Sequence, residues 1–176
     1  MNREILEGAL AELPLLQYEF INPKDLVFSE RIRHVCQQEC PMYGKTWACP
    51  PAVGAVVDCQ KKCQSFDCGL VITTVAEVND IANMEETLAT RGDHEDITRS
   101  VRDTLLQLGT APYVLSTEAC AICETCAYPD KPCRFPDKMF PCVESHGIVV
   151  TDLAERYGIE FLMGNMVVWF SLFLFD

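Results

Sequence analysis

The sequence predicts an α+β domain in which a mostly antiparallel sheet carries helices on one face and two cysteine-rich metal-binding loops at an edge. Three observations predict this class: apolar strand-like runs at residues 69–78 and 166–175, amphipathic helical segments before and between them, and cysteine-rich segments at residues 34–68 and 118–142. A chain of 176 residues that is 49% hydrophobic can build one core. We therefore expect a single metal-binding domain over residues 1–176.

The first third of the chain predicts one helix and one long loop. Apolar residues recur at helical spacing over residues 2–13, and Pro14 ends the run. Residues 34–68 are rich in cysteine, proline and glycine, which is typical of a loop wrapped around a bound group. Within this loop, residues 55–65 predict a short helix.

The middle of the chain predicts the centre of the sheet and the longest helical region. Residues 69–78, GLVITTVAEV, have the composition of a buried strand. Residues 81–108 predict a helix that is broken near Gly92 and ends at Gly109. A short strand is expected at residues 112–116, and it leads into the second cysteine-rich segment.

The C-terminal part predicts a short helix with Thr151 as its N-cap and Gly158 at its end. A β-hairpin follows, with strands at residues 159–163 and 166–175 separated by a Gly-Asn turn. The second run is strongly apolar, but it is about half the roughly 20 residues that a membrane-spanning helix needs. We therefore expect a central buried strand here and no membrane segment.

The charge of the chain limits the classes of partner. A net charge of −12 and a pI near 4.6 describe an acidic surface that repels phosphate backbones and anionic membranes. We expect no nucleic-acid or membrane partner, and we expect either a redox partner protein or a small-molecule substrate. The N-terminus lacks the basic and apolar regions of a secretory signal, which predicts a cytoplasmic protein with reduced thiols.

Eleven cysteines are the outlying feature of the composition. Reduced cysteines at this density indicate metal binding more than a disulfide framework. No nucleophile elbow, phosphate-binding loop, dinucleotide fingerprint or zinc-protease motif occurs. Among the histidines, His34 is a candidate extra ligand because it precedes Cys36, His94 is expected in an exposed polar segment, and His146 at a helix end.

The strongest signal is the sequence CAICETCAYPDKPC at residues 120–133, with the pattern C-x2-C-x2-C-x6-C. Thiolates at steps of three let a tight loop wrap a cluster, as in the C-x2-C-x2-C run of bacterial ferredoxins. A structural zinc site normally uses two C-x2-C pairs separated by a longer stretch. The pattern therefore favours a [4Fe-4S] cluster, with zinc as the alternative. Its candidate ligands, here called the second set, are Cys120, Cys123, Cys126 and Cys133.

The spacing leaves the fourth ligand of this cluster open. Cys133 is the natural choice, and Arg134 beside it could offset the negative charge of a cluster. Cys142 is a second candidate. A third candidate is a cysteine from the first segment that is followed by proline, either Cys40 or Cys49, since ferredoxin-type clusters can be completed by a distant Cys-Pro.

A second group, here called the first set, consists of Cys36, Cys40 and Cys49 in the pattern C-x3-C-x8-C. This spacing matches no standard metal signature. It predicts a second metal site with three thiolates and one open position, where a small thiolate, sulfide or substrate could bind. The alternatives are a structural cluster or zinc site, or cysteines that pack as small buried hydrophobic residues.

Several residues near these sets are weaker candidates, either as metal ligands or as side chains that affect the metal site. Cys59 and Cys63 lie one turn apart on a predicted helix, whereas Cys68 opens a predicted buried strand and is expected in the core. Lys45 lies between two ligands of the first set, where it could offset the charge of a cluster or be an ordinary solvated lysine. Trp47 is expected to shield the site from water.

Four segments carry a family resemblance: C-x3-CPMYGKTWACPP from Cys36, EACAICETCAYPDKPCRFPDK at residues 118–138, ESHGIVV at residues 144–150, and the terminal NMVVWFSLFLF. In these segments the chain resembles a family of predicted metal-binding proteins of unknown function from anaerobic bacteria and archaea. The resemblance implies metal or iron–sulfur cluster binding by the first and second sets, and it implies no reaction. The chain departs from the family pattern at Cys68 and at Cys142, which counts against Cys142 as a ligand.

Three functions follow from these observations. The first is an iron–sulfur protein that serves as a redox mediator or accessory factor in an anaerobic pathway, with one [4Fe-4S] cluster and a second allowed by the first set. The second is an enzyme that uses an open-site cluster for desulfuration or small-molecule reduction. The third is a zinc-binding or metal-trafficking module.

Overall fold

A computed structural model of the chain describes residues 2–161 and 164–176. Within these residues, four strands form one antiparallel sheet: β1 (Gln17–Ile21), β2 (Cys68–Glu77), β3 (Tyr113–Leu115) and β4 (Met166–Phe175). The strands lie side by side in the order β1-β2-β4-β3. The predicted α+β class with an antiparallel sheet is confirmed.

Strand β4 lies inside the sheet, as its apolar sequence predicts. It pairs with β2 along ten residues, from Cys68 opposite Phe175 to Glu77 opposite Met166. The predicted hairpin is wrong in its first strand, because residues 159–161 are not extended in a strand and residues 162–163 lie outside the described residues. The main partner of β4 is instead the distant β2, which the local turn signal could not indicate.

Helices cover both faces of the sheet rather than the single face expected. Helices α1 (Arg3–Ala11) and α5 (Arg91–Gln107) pack against Leu70 and Phe173 on one face. Helices α3 (Val56–Cys63) and α6 (Val150–Tyr157) contribute to the core against Leu172 on the other. The physical reason is the continuous apolar run of β4, since a strand without alternation buries both of its faces.

The remaining helices frame the cysteine-rich segments. Helix α2 (Glu30–Glu39) begins after Ser29, whose hydroxyl accepts a hydrogen bond from the amide of Arg31. This helix lies partly in the predicted loop at residues 34–68, and it was missed because it has no buried face. Helix α4 (Met84–Ala89) is separated from α5 at Thr90, close to the predicted break.

The predicted helices at both ends of the chain are present. Asn2 caps α1, and α6 ends at Gly158 as predicted, where φ is +65°. The predicted N-cap Thr151 is wrong, because it lies inside α6 and Val149 occupies the N-cap position. The apolar run at residues 166–175 is strand β4, and no helix among the described residues has the length and hydropathy needed to cross a bilayer.

Candidate metal centre

The two cysteine-rich segments are held against each other at one end of β3. The indole N–H of Trp47 donates a hydrogen bond to the carbonyl of Lys131 (3.0 Å), and its ring meets Tyr128 edge-on with centroids 4.9 Å apart. The amide of Cys142 donates to the carbonyl of Ala48 (3.2 Å). These contacts place both candidate sets in one region of the molecule.

All four cysteines of the second set line one pocket. They are half-buried, and the other side chains around them are mainly apolar. Those side chains include Trp47, Ile122, Phe135 and Met139. The Arg134 guanidinium donates to the carbonyl of Thr125 (2.7 Å), which closes the loop on itself. The structure therefore brings together the four cysteines that the sequence groups, with Cys133 among them.

The space between these four side chains is small, at about 20 Å³, close to the volume that one water molecule occupies. Burial raises the pKa of Cys120, and a hydrogen bond from the amide of Ile122 lowers it. An amide that donates to a sulfur is the kind of contact that stabilises a thiolate.

The first set lines a larger cavity of about 270 Å³. Cys36 lies on α2, Cys40 at its C-terminal end, and Cys49 in the turn-rich segment that follows. Cys142 and Glu144 line the same cavity. Cys142 does not line the pocket of the second set, so the structure places this alternative fourth ligand with the first set instead.

Electrostatics in this cavity favour neutral thiols. Burial raises the pKa of Cys36 and of Cys49, and neighbouring thiols raise both further. Burial also raises the pKa of Cys142, whose thiol donates to the Glu144 carboxylate at 2.8 Å. Because ligand thiols must lose their protons, metal binding by this set would release protons.

Glu118 lines the same cavity in an unusual backbone conformation. Its φ is +59°, in the left-handed region that side chains other than glycine rarely adopt. Burial raises the pKa of its carboxyl, and the facing Glu144 adds to this effect. Backbone strain of this kind is concentrated at functional sites. The sequence analysis did not single out Glu118 or Glu144, because only the fold brings them to the first set.

The other cysteines lie outside both cavities. Cys59 and Cys63 are buried on α3, where the Cys59 thiol donates to the carbonyl of Val53 at 3.3 Å and burial raises the pKa of Cys63 to about 12. Cys68 is half-buried at the start of β2 and packs against the core, as expected for it. Cys59 and Cys63 are therefore core residues, and Cys68 lies at the edge of the core.

The expectation that His94 is exposed is wrong. Its side chain is 1% exposed, and its two ring nitrogens lie 2.8 Å from the hydroxyls of Thr74 and Ser171. The sequence around His94 is polar. Residues 94, 98, 101 and 105 nevertheless lie on one face of α5, and this helical spacing is the sequence pattern that could have predicted the burial of His94. His146 is also buried and lies 2.7 Å from the Tyr113 hydroxyl, whereas His34 is exposed on α2.

Lys45 faces the second set rather than the first. Together with Thr46 it borders a cavity of about 320 Å³ that is also lined by Cys120, Cys123 and Cys126. Lys45 is exposed to solvent. An amino group in this position can offset the negative charge of a thiolate-bound group by long-range attraction.

The donor atoms of both sets are cysteine sulfurs, which are ligands of iron–sulfur clusters and of zinc alike. Among residues 2–161 and 164–176, no three His, Cys, Asp or Glu side chains converge as the ligands of one metal ion would. The Thr46 side chain is buried, and its hydroxyl lowers the pKa of Cys49, which burial raises.

The comparison with known proteins agrees with a metal site. Residues 19–175 match the family described as predicted metal-binding protein (DUF2284). No curated protein matches the chain, and no solved structure does. Because the match covers most of the chain and includes every cysteine of both sets, this protein belongs to the predicted metal-binding protein family DUF2284.

Proposed function

We propose that this protein is an iron–sulfur protein that holds one [4Fe-4S] cluster on its second set and serves as a redox mediator or accessory factor in an anaerobic pathway. The observation that carries the proposal is that Cys120, Cys123, Cys126 and Cys133 line one pocket under an apolar cover. Four cysteine thiolates are the usual ligands of such a cluster. The family membership supports metal binding in general.

The surroundings of the second set suit a cluster that carries electrons. A bound cluster supplies one-electron redox chemistry. Trp47, Phe135 and Met139 line the pocket of the sulfurs, and apolar side chains at this position would affect the potential of a bound cluster. Arg134 and Lys45 reduce the cost of placing negative charge there. The remaining surface is acidic, which would favour docking onto a basic surface of a redox partner protein.

A second candidate function is favoured by the cavity at the first set. About 270 Å³ beside three cysteines is enough for a small molecule, and the two carboxylates in the lining give it a polar side. A metal centre with three thiolates there would keep one position open. That arrangement would suit an enzyme that desulfurates or reduces a small molecule, with substrate bound directly at the open position.

Analysis of iron and acid-labile sulfide in anaerobically purified protein tests the primary proposal. We expect about four iron and about four sulfide per chain for one cluster, and about twice that amount if the first set also binds one. Zinc without sulfide would contradict the proposal and favour the zinc-binding or metal-trafficking alternative. EPR spectra of the reduced protein with and without an added small thiol separate the two candidate functions, because only an open position responds to the thiol.

A further inference from the structure

A further pocket, here called the α5 pocket, lies between helix α5 and the loop of the second set. Its lining includes Arg91, Gly92, Glu95 and Arg99 of α5 together with Cys120 of the second set. The volume of this pocket is about 160 Å³. A cavity of about 150 Å³ can hold a molecule the size of benzene, so the α5 pocket has room for a ligand of a few heavy atoms.

Two guanidinium groups give the α5 pocket a positive lining. Glu95 bridges them, since one of its carboxylate oxygens lies 3.2 Å from Arg91 and the other lies 3.4 Å from Arg99. Arg99 also pairs with Asp96, but the Asp96 side chain is 78% exposed and lies outside the lining. Two positive groups and one carboxylate leave an excess positive charge in this pocket, in a chain whose net charge is −12.

Arg91 is buried and held in one orientation. The residue is 8% exposed, its Nε donates to the carbonyl of Thr117 at 3.1 Å, and its Nη2 donates to the Glu95 carboxylate. The Ser116 hydroxyl donates to the same carboxylate and so fixes it in turn. The hydrogen bonds of Arg91 within the described residues thus use Nε and Nη2, which leaves Nη1 for a ligand. A guanidinium that is already ordered loses little entropy when it binds an anion.

Gly92 leaves one side of the α5 pocket uncovered. It lies on the same face of α5 as Glu95 and Arg99, which follow it by three and seven residues. It is exposed, and a Cβ at this position would meet no atom within 4 Å. Glycine is less favourable than alanine in a helix, and crowding does not require it here. The absent side chain keeps the pocket open to solvent.

We propose that the α5 pocket binds a small oxyanion, either a carboxylate or a tetrahedral anion such as phosphate, through Arg91 and Arg99. Guanidinium N–H groups match the paired oxygens of such anions, and these charge-assisted hydrogen bonds are strong. The anion would lie beside Cys120, which lines both this pocket and the pocket of the second set. The inference goes beyond the proposed function, because these arginines belong to the chain itself and their anion binding requires no particular metal.

Calorimetric titration of the full-length, anaerobically purified protein with inorganic phosphate, and separately with acetate, tests the inference at an ionic strength fixed with chloride. Arg99→Gln removes one guanidinium group from the pocket, and Gly92→Leu keeps both groups but covers the open side with a good helix former. Arg156→Gln is the matched control, because Arg156 is an exposed arginine that pairs with Asp25 and lies outside the pocket. Thermal unfolding of each variant is the folding control.

We expect the parent protein to bind at least one of the two anions at a single site, and the preferred anion identifies the tetrahedral or the carboxylate class. Arg99→Gln and Gly92→Leu should each weaken binding by about tenfold or more, since a hydrogen bond to a charged group or the access to it is lost. Arg156→Gln should change the affinity by less than about twofold, because a distant exposed charge is screened by salt.

Three results would overturn the inference. The first is a parent protein that binds neither phosphate nor acetate, and the second is unchanged affinity in both pocket variants. The third is an equal loss of affinity in Arg156→Gln and Arg99→Gln, because binding would then follow the charge of the whole surface. None of these results depends on the iron or sulfide content, so failure here is distinct from failure of the proposed iron–sulfur function.

Discussion

Three of the four cysteines in the second set lie within residues 120–126 of one loop, whereas those of the first set come from a helix, the end of that helix and a separate turn. The second set surrounds a small space among apolar side chains, and three of its cysteines also border an open cavity of about 320 Å³. The first set borders a cavity of about 270 Å³ that is also lined by Cys142 and two carboxylates. Sequence spacing alone sets the arrangement of a site in a local loop, whereas a site assembled from distant elements depends on the fold.

This contrast explains why sequence patterns indicate one site more clearly than the other. Spacing determines which sulfurs a short loop can bring together, so C-x2-C-x2-C is informative without a fold. The position of Cys142 beside Cys49 depends instead on the pairing of Ser116 with Cys142 and on the hydrogen bond from Cys142 to Ala48. No local sequence pattern predicts these contacts, because they join segments that are distant in the sequence.

The largest effect is expected from Cys123→Ser. We expect this change to remove the iron of the second set and its visible charge-transfer absorbance, and to lower the stability of the holoprotein, because cluster binding contributes to folding. Iron analysis and absorbance spectra measure the loss.

Cys68→Ala is the matched control for Cys123→Ser, since Cys68 is also half-buried but lines neither cavity. We expect it to leave metal content unchanged. Unchanged iron in Cys123→Ser, or lost iron in Cys68→Ala, would contradict the assignment of the second set.

Cys49→Ser should have a smaller effect that separates the two sites. We expect it to abolish metal binding at the first set and to leave the signal of the second set in place, because Cys49 does not line the second pocket. Iron content and EPR of the reduced protein measure both sites in one sample. Complete loss of iron in this variant would mean that the two sets share a single centre.

Much of the fold was also predictable, and the misses have physical causes. Strands β2 and β4 are apolar runs of strand composition, helices α1, α3 and α6 carry helical spacing or stop signals, and the structure has all five close to the predicted bounds. Helix α2 has no fully buried residue and runs directly into the proline-rich and glycine-rich segment, so the loop composition of that segment concealed it. His94 was assigned to the surface because its neighbours are polar, although the face it shares with Val101 and Leu105 is buried.

Metal binding at the first set should weaken as the pH falls. Burial raises the pKa of Cys36 and Cys49, so both thiols hold their protons at neutral pH and must release them to bind a metal. The apparent affinity should therefore fall by up to about tenfold per thiol for each unit that the pH drops below the thiol pKa. Zinc titrations of Cys123→Ser between weakly acidic and weakly alkaline pH measure this slope, and an affinity independent of pH would contradict it.

The smallest effect is expected where the two loops meet. Trp47→Phe removes the hydrogen bond to Lys131, worth about 1 kcal/mol, and should make cluster loss to a chelator about fivefold faster. Trp169→Phe is the control, because Trp169 also donates one hydrogen bond, to Thr90 at 2.8 Å, but lines neither cysteine pocket. Equal rates in the two variants would show that contact between the loops does not protect the second set.

The most direct test of the account is the EPR spectrum and the iron and sulfide content of reduced, anaerobically reconstituted Cys49→Ser, in which the second set is the expected site. The account predicts about four iron and about four sulfide per chain, together with the EPR signal of a reduced cubane cluster. One zinc or one iron ion with no sulfide would contradict it.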